Sequence, residues 1–129
     1  MPTSPTPVTY LFVYGTLLNA SEKPMAQYLR QHSQLIGAGR FPGRLYDLGE
    51  YPGAVYDRNA DGLVHGELYT FSEVAVAGLL NVLDEYEGDE YRRAVVPVQT
   101  GNGLIDCWTY LLIQPTAAWP VIASGRYTG

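Results

Sequence analysis

The sequence predicts an α+β fold of about six strands and two main helices, with an antiparallel or mixed sheet that curls towards a barrel. Three observations carry this. Short runs rich in β-branched and aromatic residues recur along the chain, separated by glycine and proline. Two segments carry helical spacing, and they do not alternate strictly with the strands, which argues against a parallel α/β sheet. The strands are closely spaced and rich in glycine, as expected where a sheet bends on itself.

In chain order, Val8 to Tyr14 reads as a strand, broken by Gly15-Thr16-Leu17-Leu18-Asn19. Ser21 is placed to cap a helix running through Met25, Tyr28 and Leu29, with Pro24 in its first turn. Gln34 to Tyr46 contains Gly37, Gly39, Pro42 and Gly43 and reads as two short bent strands around a bulge or corner. Tyr51-Pro52-Gly53 reads as a turn, Ala54 to Asp57 as a strand, and Arg58 to Gly62 as a hairpin connection. Leu63 to Phe71 alternates as a strand does, and Ser72 caps the helix that follows. Tyr91 to Gln99 and Leu104 to Ile113 are strands joined by the turn Thr100-Gly101-Asn102-Gly103, with Val95 and, less cleanly, Val96 and Val98 alternating in the first of them.

The second helix is the most informative stretch. Val76, Leu79, Leu80 and Leu83 recur at i, i+3, i+4 and i+7, one face turned to a core. One turn further, that face reaches Glu87, where the pattern asks for an apolar residue, and Gly88 can supply the left-handed residue that stops the helix. Burial, the carbonyl end of the helix, and Asp84, Glu85, Asp89 and Glu90 nearby should all raise the Glu87 pKa towards the range useful to a general base. The alternative reading leaves Glu87 as a solvated residue on a frayed last turn.

With 129 residues, a single domain spanning 1–129 is expected, large enough for one core, with Met1 to Pro7 as a flexible lead-in. The composition, 47% hydrophobic and 16% charged, argues against disorder. A net charge of −5, with no basic run beyond Arg92-Arg93, argues against nucleic acid or an anionic membrane as partner. No apolar run is long enough to span a bilayer and no signal-peptide pattern opens the chain, so a cytoplasmic location is expected and the Asn19-Ala20-Ser21 sequon is discounted.

One cysteine, Cys107, allows no intrachain disulfide and reads as a small core residue. His65-Gly66-Glu67 has the spacing of a zinc deaminase but lacks its Pro-Cys-x-x-Cys partner, so His65 reads as an ordinary strand residue. His32, near the end of the first helix, suits the helix dipole. No metal site and no cofactor are expected, because no ligand spacing, nucleophile elbow, P-loop or dinucleotide fingerprint is present. What remains is general acid/base chemistry on a small substrate, or ligand binding.

Two motifs then read together: Val13-Tyr14-Gly15-Thr16-Leu17, a strand entering a glycine loop, and Leu83-Asp84-Glu85-Tyr86-Glu87-Gly88 followed by Tyr91-Arg92-Arg93. In this order and spacing they resemble the γ-glutamylcyclotransferase-like superfamily, including its AIG2-like and γ-glutamylamine cyclotransferase members. Val64-His65-Gly66-Glu67-Leu68-Tyr69, Cys107-Trp108-Thr109-Tyr110 and, more weakly, Ser124-Gly125-Arg126-Tyr127 extend the resemblance over most of the chain from about Tyr10. The resemblance implies a small mixed β-barrel with flanking helices. It implies cyclisation of a γ-glutamyl amine or amide to 5-oxoproline with release of the amine, Glu87 acting as general acid/base. It implies that Tyr14, Gly15, Thr16 and Leu17 bind the glutamyl moiety, a glycine turn letting backbone N–H groups converge on a carboxylate or oxyanion. Tyr91 and Tyr110 are candidates to line the pocket, and for each a packed wall residue is an equal alternative.

A non-catalytic module holding an amino-acid-like ligand in the same pocket stays open beside this. Hydrolysis by a carboxylate pair, Glu87 with Glu90 or Asp84, is disfavoured because neighbours on one turn do not flank a glycosidic bond. Arg40, Arg44 and Arg126 are candidates to meet an anionic substrate, each with a solvated-surface alternative. The sequence assigns neither the released amine nor the oligomeric state.

Overall fold

The structure is a computed structural model, and it describes residues 8–15, 17–18, 23–113, 116 and 119–127. The elements in order are β1 (Tyr10–Val13), α1 (Pro24–His32), β2 (Gln34–Asp47), β3 (Pro52–Tyr56), β4 (Leu63–Thr70), α2 (Val76–Glu87), a short 3-10 turn (Gly88–Glu90), β5 (Tyr91–Thr100) and β6 (Gly103–Leu112). Five strands close into a barrel, and β3 is an extra strand. The ring runs β1–β4–β2–β5–β6 and returns to β1. It is mixed: β1 meets β4 antiparallel in register Tyr10 with Thr70, and meets β6 parallel at Leu11 and Trp108. β5 and β6 form the long hairpin, from Tyr91 opposite Leu112 to Thr100 opposite Gly103.

The local reading needs three corrections. Gln34 to Tyr46 is one strand of 14 residues with a register shift between Leu35 and Gly37, so the bulge is present but the strand is continuous. Its first part pairs with β4 and its last, from Gly43, pairs with β3. Tyr51-Pro52-Gly53 is not the turn. Pro52 and Gly53 open β3, and the turn lies just before, where Leu48 N–H donates to the Tyr51 carbonyl at 3.0 Å. Gly53 lies close under Leu112: a Cβ there would sit 3.0 Å from that side chain, which would have to give way by a few tenths of an ångström. Residues 58–62 are not a hairpin connection either, because β3 and β4 each pair with β2 and not with one another. That loop instead crosses the bend of β2, where Asp57 N–H donates to the Pro42 carbonyl and Gly43 N–H to the Gly62 carbonyl.

β1 is buried on both faces, which is why it reads as an unbroken apolar run. Phe12 and Tyr14 enter the barrel with Phe41, Leu45, Val64, Leu68, Val96, Val98 and Cys107. Leu11 and Val13 face outwards, under the helices, against Leu29, Tyr69, Phe71, Leu79, Leu80 and Leu83. Gly66 lets the two strands approach, since a Cβ there would lie 2.0 Å from the Val13 carbonyl oxygen. In β5 the inward residues are Val96 and Val98, while Val95 is exposed. Cys107 is a buried core residue as expected, and burial pushes its thiol up to about 12, far from a thiolate at neutral pH.

α1 opens at Pro24 with Lys23 at the cap position, while Ser21, Thr16 and the lead-in 1–7 lie outside the described residues. His32 is exposed on the last turn of α1, its Nδ1 2.8 Å from the Tyr28 carbonyl. Ser72 accepts from Ala75 N–H at 3.2 Å, one turn ahead of α2. Among the described residues, no helix is long and apolar enough to cross a membrane.

Candidate active site

α2 buries Leu79, Leu80 and Leu83, and the next residue on that face is Glu87, the last of the helix. Gly88 follows with φ +73, the left-handed conformation that glycine tolerates, and its N–H caps the helix on the Asp84 carbonyl. Glu87 is therefore not a solvated residue on a frayed turn. It is part-buried and lines a cleft of about 280 Å³ together with Tyr14, Gly15, Leu17, Tyr91 and Tyr110. Burial pushes its carboxyl from 4.5 up to about 7.

The neighbouring acids do not act as the sequence suggests. Asp84 is bound by Arg93 Nε at 2.8 Å and accepts from the Tyr110 hydroxyl at 2.7 Å. Arg93 above all, with help from Tyr110, holds the Asp84 carboxyl below its ordinary value. Arg93 also stacks over Trp108 at 4.4 Å. The C-terminal turn of α2 is thereby pinned to β5 and β6. Glu90 accepts from the Tyr51 hydroxyl at 2.5 Å. With both acids engaged, a carboxylate pair has no second free member, which agrees with the geometric objection to hydrolysis.

Three tyrosine rings form the walls. Tyr91 donates to the Pro52 carbonyl at 2.6 Å, and Tyr14 donates to the Tyr110 carbonyl while accepting from Ala54 N–H at 3.2 Å. Burial pushes the Tyr14, Tyr91 and Tyr110 phenols up, so all three remain protonated donors at neutral pH. Each hydroxyl is committed to another part of the wall. The Tyr91 and Tyr110 rings line the cleft, and the three hydroxyls tie the end of β1 to β6 and β3, β5 to β3, and β6 to α2.

Gly15 lies against β3. A Cβ there would meet Pro52 Cγ at 2.7 Å and Cδ at 2.9 Å, and Leu18 N–H closes the turn on the Gly15 carbonyl at 3.1 Å. Gly15→Ala is expected to push this loop away from Pro52 and so lower stability by roughly 1–3 kcal/mol, which urea unfolding would check. Thr16, expected in the same loop, lies outside the described residues.

Lys23, Glu50, Tyr51, Pro52 and Tyr86 also line the cleft and were not singled out from the sequence. For Glu50 and Tyr51 the sequence carries one signal, an acid and a tyrosine directly before Pro-Gly, and a turn is the ordinary meaning of that pattern. None of Arg40, Arg44 and Arg126 reaches this cleft: Arg44 lies 4.0 Å from Asp57, and the other two line a separate cleft. Among the described residues, no group of His, Cys, Asp or Glu is arranged to hold a metal ion.

Residues 11–129 match the family model described as gamma-glutamyl cyclotransferase, AIG2-like. A search of curated protein sequences gave no match. Among solved structures, the chain is similar to an AIG2-like protein from Mus musculus, at 22% identity over 93% of this chain and 88% of that one, with TM-score 0.76. It is similar to protein ytfP from Escherichia coli at 32% identity, covering 91% and 94%, with TM-score 0.60. It is also similar to YkqA from Bacillus subtilis at 26% identity and TM-score 0.69, covering 92% of this chain but only 39% of YkqA. From the family match over nearly the whole chain, and from a barrel shared with these structures, the chain belongs to the gamma-glutamyl cyclotransferase, AIG2-like family.

Proposed function

We propose that the protein cyclises a γ-glutamyl amine or amide to 5-oxoproline and releases the amine, with Glu87 as general acid/base. The observation that carries this reading is the Glu87 carboxyl, part-buried in a small cleft and raised to about 7, where it can both accept and return a proton near neutrality. The carboxylate takes a proton from the substrate α-ammonium. The freed amine attacks the γ-carbonyl of its own glutamyl group, forming the C–N bond of the ring and a tetrahedral oxyanion. The oxyanion collapses and the original amide C–N bond breaks as Glu87 protonates the leaving nitrogen; the ring nitrogen gives up its remaining extra proton, and the released amine leaves as an ammonium ion. Attack within one molecule needs chiefly a folded substrate, which a cleft of this size favours. The loop from Tyr14 to Leu17 would hold the glutamyl end, with Thr16 included on the strength of the motif, and Tyr91 and Tyr110 would close the sides. The protein would act without a cofactor, as one domain over 1–129.

The test is a panel of γ-glutamyl amines and γ-glutamyl amino acids incubated with the protein and scored for 5-oxoproline. Product from any member supports the reaction, and the pattern begins to name the amine. No product, together with saturable binding of a glutamyl ligand, supports instead a non-catalytic binding module.

The pH profile is a second check. Glu87 must be a carboxylate to act first as base, so kcat/KM is expected to fall as pH drops below about 7, approaching tenfold per unit. An acid limb at the ordinary carboxylate value of 4.5 would mean that Glu87 is not the group that titrates. Glu87→Gln should abolish the limb along with most of the rate.

A further inference from the structure

A second cleft, of about 230 Å³, opens where β2 is flanked by β4 and β5. It shares no lining residue with the Glu87 cleft. Arg40 and His65 are cross-strand partners there, Gln99 of β5 faces Arg40, and Gly101 leaves the rim open. The C-terminal segment adds Arg126. It is seated by His65 N–H donating to the Gly125 carbonyl at 2.8 Å. Gly125 has φ +68, and a Cβ there would lie 1.8 Å from the Leu63 carbonyl oxygen, so only glycine brings Arg126 to this position.

The charge pattern is unusual for this chain. Thirteen acids outnumber eight lysines and arginines, yet two arginines and a histidine converge here and, among the described residues, no carboxylate lines the cleft. Neither arginine takes part in the ion pairs Arg44–Asp57 and Arg93–Asp84. The nearest acid on the same strand, Glu67, acts on the Tyr69 hydroxyl further along β4. Burial, and then the positive charge of Arg126 and Arg40, hold the His65 imidazole below its ordinary value, so both guanidiniums act on one ring. Like charges held together with no counter-charge among the described residues are relieved by an anion between them. Two guanidinium forks and an imidazole offer more donors than one carboxylate can accept, and suit a tetrahedral dianion.

We propose that the cleft of Arg40, His65 and Arg126 binds a small phosphate or phosphate-monoester dianion. The proposal is independent of the reaction at Glu87. The test follows the His65 ring signals by NMR while inorganic phosphate or glycerol phosphate is added to the full chain at constant ionic strength. A saturable shift of those signals, with the His65 pKa moving upward, is expected. Arg40→Gln and Arg126→Gln, both at exposed positions, should each weaken binding by about tenfold or more, and Arg44→Gln should leave it unchanged. Three results would overturn the proposal: a shift reproduced by chloride at the same ionic strength, binding indifferent to both arginine variants, or succinate bound as tightly as phosphate.

Discussion

Glu87→Gln is expected to lower 5-oxoproline formation by about 10²–10⁴-fold, the usual worth of a positioned acid/base. The amide keeps the shape and fills the same space, but it neither takes the proton from the α-ammonium nor returns one to the amine. Glutamyl ligand binding should persist, which isothermal titration would show. The same substitution should stabilise the fold at alkaline pH. A carboxyl at 4.5 in the unfolded chain and about 7 in the folded one binds its proton more tightly when folded. Stability is then lost as pH rises between those values, because the folded state must either keep a proton the solution has stopped supplying or hold a charge in a half-dry cleft. Glutamine has no such dependence. Urea unfolding should find the variant more stable than wild type by on the order of 2 kcal/mol at pH 8, with the difference closing towards pH 4, after discounting for partial solvent screening. An inactive variant with unchanged stability at pH 8 would show that the cleft does not desolvate the carboxyl.

Leu83→Ala carries the largest expected loss of stability, roughly 2–5 kcal/mol. Leu83 is fully buried one turn before Glu87, packed among Leu79, Leu80 and Tyr110 beneath α2. The loss is a large fraction of the roughly 5–15 kcal/mol that holds a domain together. It should appear as a lower urea midpoint at unchanged slope. Leu104→Ala, at a position 72% exposed, should change stability by no more than about 0.5 kcal/mol. A small effect at Leu83 would mean that the helix packs more loosely than its burial indicates.

The parts legible in the sequence were those written in local periodicity. The face Val76, Leu79, Leu80, Leu83 places Glu87 without knowledge of any other element, and Gly88 marks the stop. The strand into Gly15 is legible for the same reason. The parts missed depend on which strand pairs with which. Asn, Asp and Gly between residues 58 and 62 give the same turn signal whether the flanking strands pair with each other or, as here, with β2. Pro52-Gly53 reads as a turn because the alternative, a glycine pressed by Leu112, is a contact across about half the chain. Glu50 and Tyr51, just before β3, reach the cleft through those same distant pairings. The expected push of like charge on Glu87 failed for a related reason: Asp84 has a partner on β5, which sequence neighbourhood does not reveal.

The parallel contact between β1 and β6 has a consequence for how the protein is made. The Thr109 hydroxyl donates to the Phe12 carbonyl and Tyr14 reaches the Tyr110 carbonyl, so the first strand is completed by the last, 96 or 97 residues later. A chain emerging from the ribosome can form the β2–β3 hairpin and pair β4, but β1 keeps one open edge until β6 has been synthesised. Closing so long a loop is slow, and the open edge is a site for association with other chains in the meantime. Tyr14 and Tyr110 are also walls of the Glu87 cleft. The cleft is therefore assembled in the closing step of folding, and a refolding experiment should recover substrate binding only with the slowest phase.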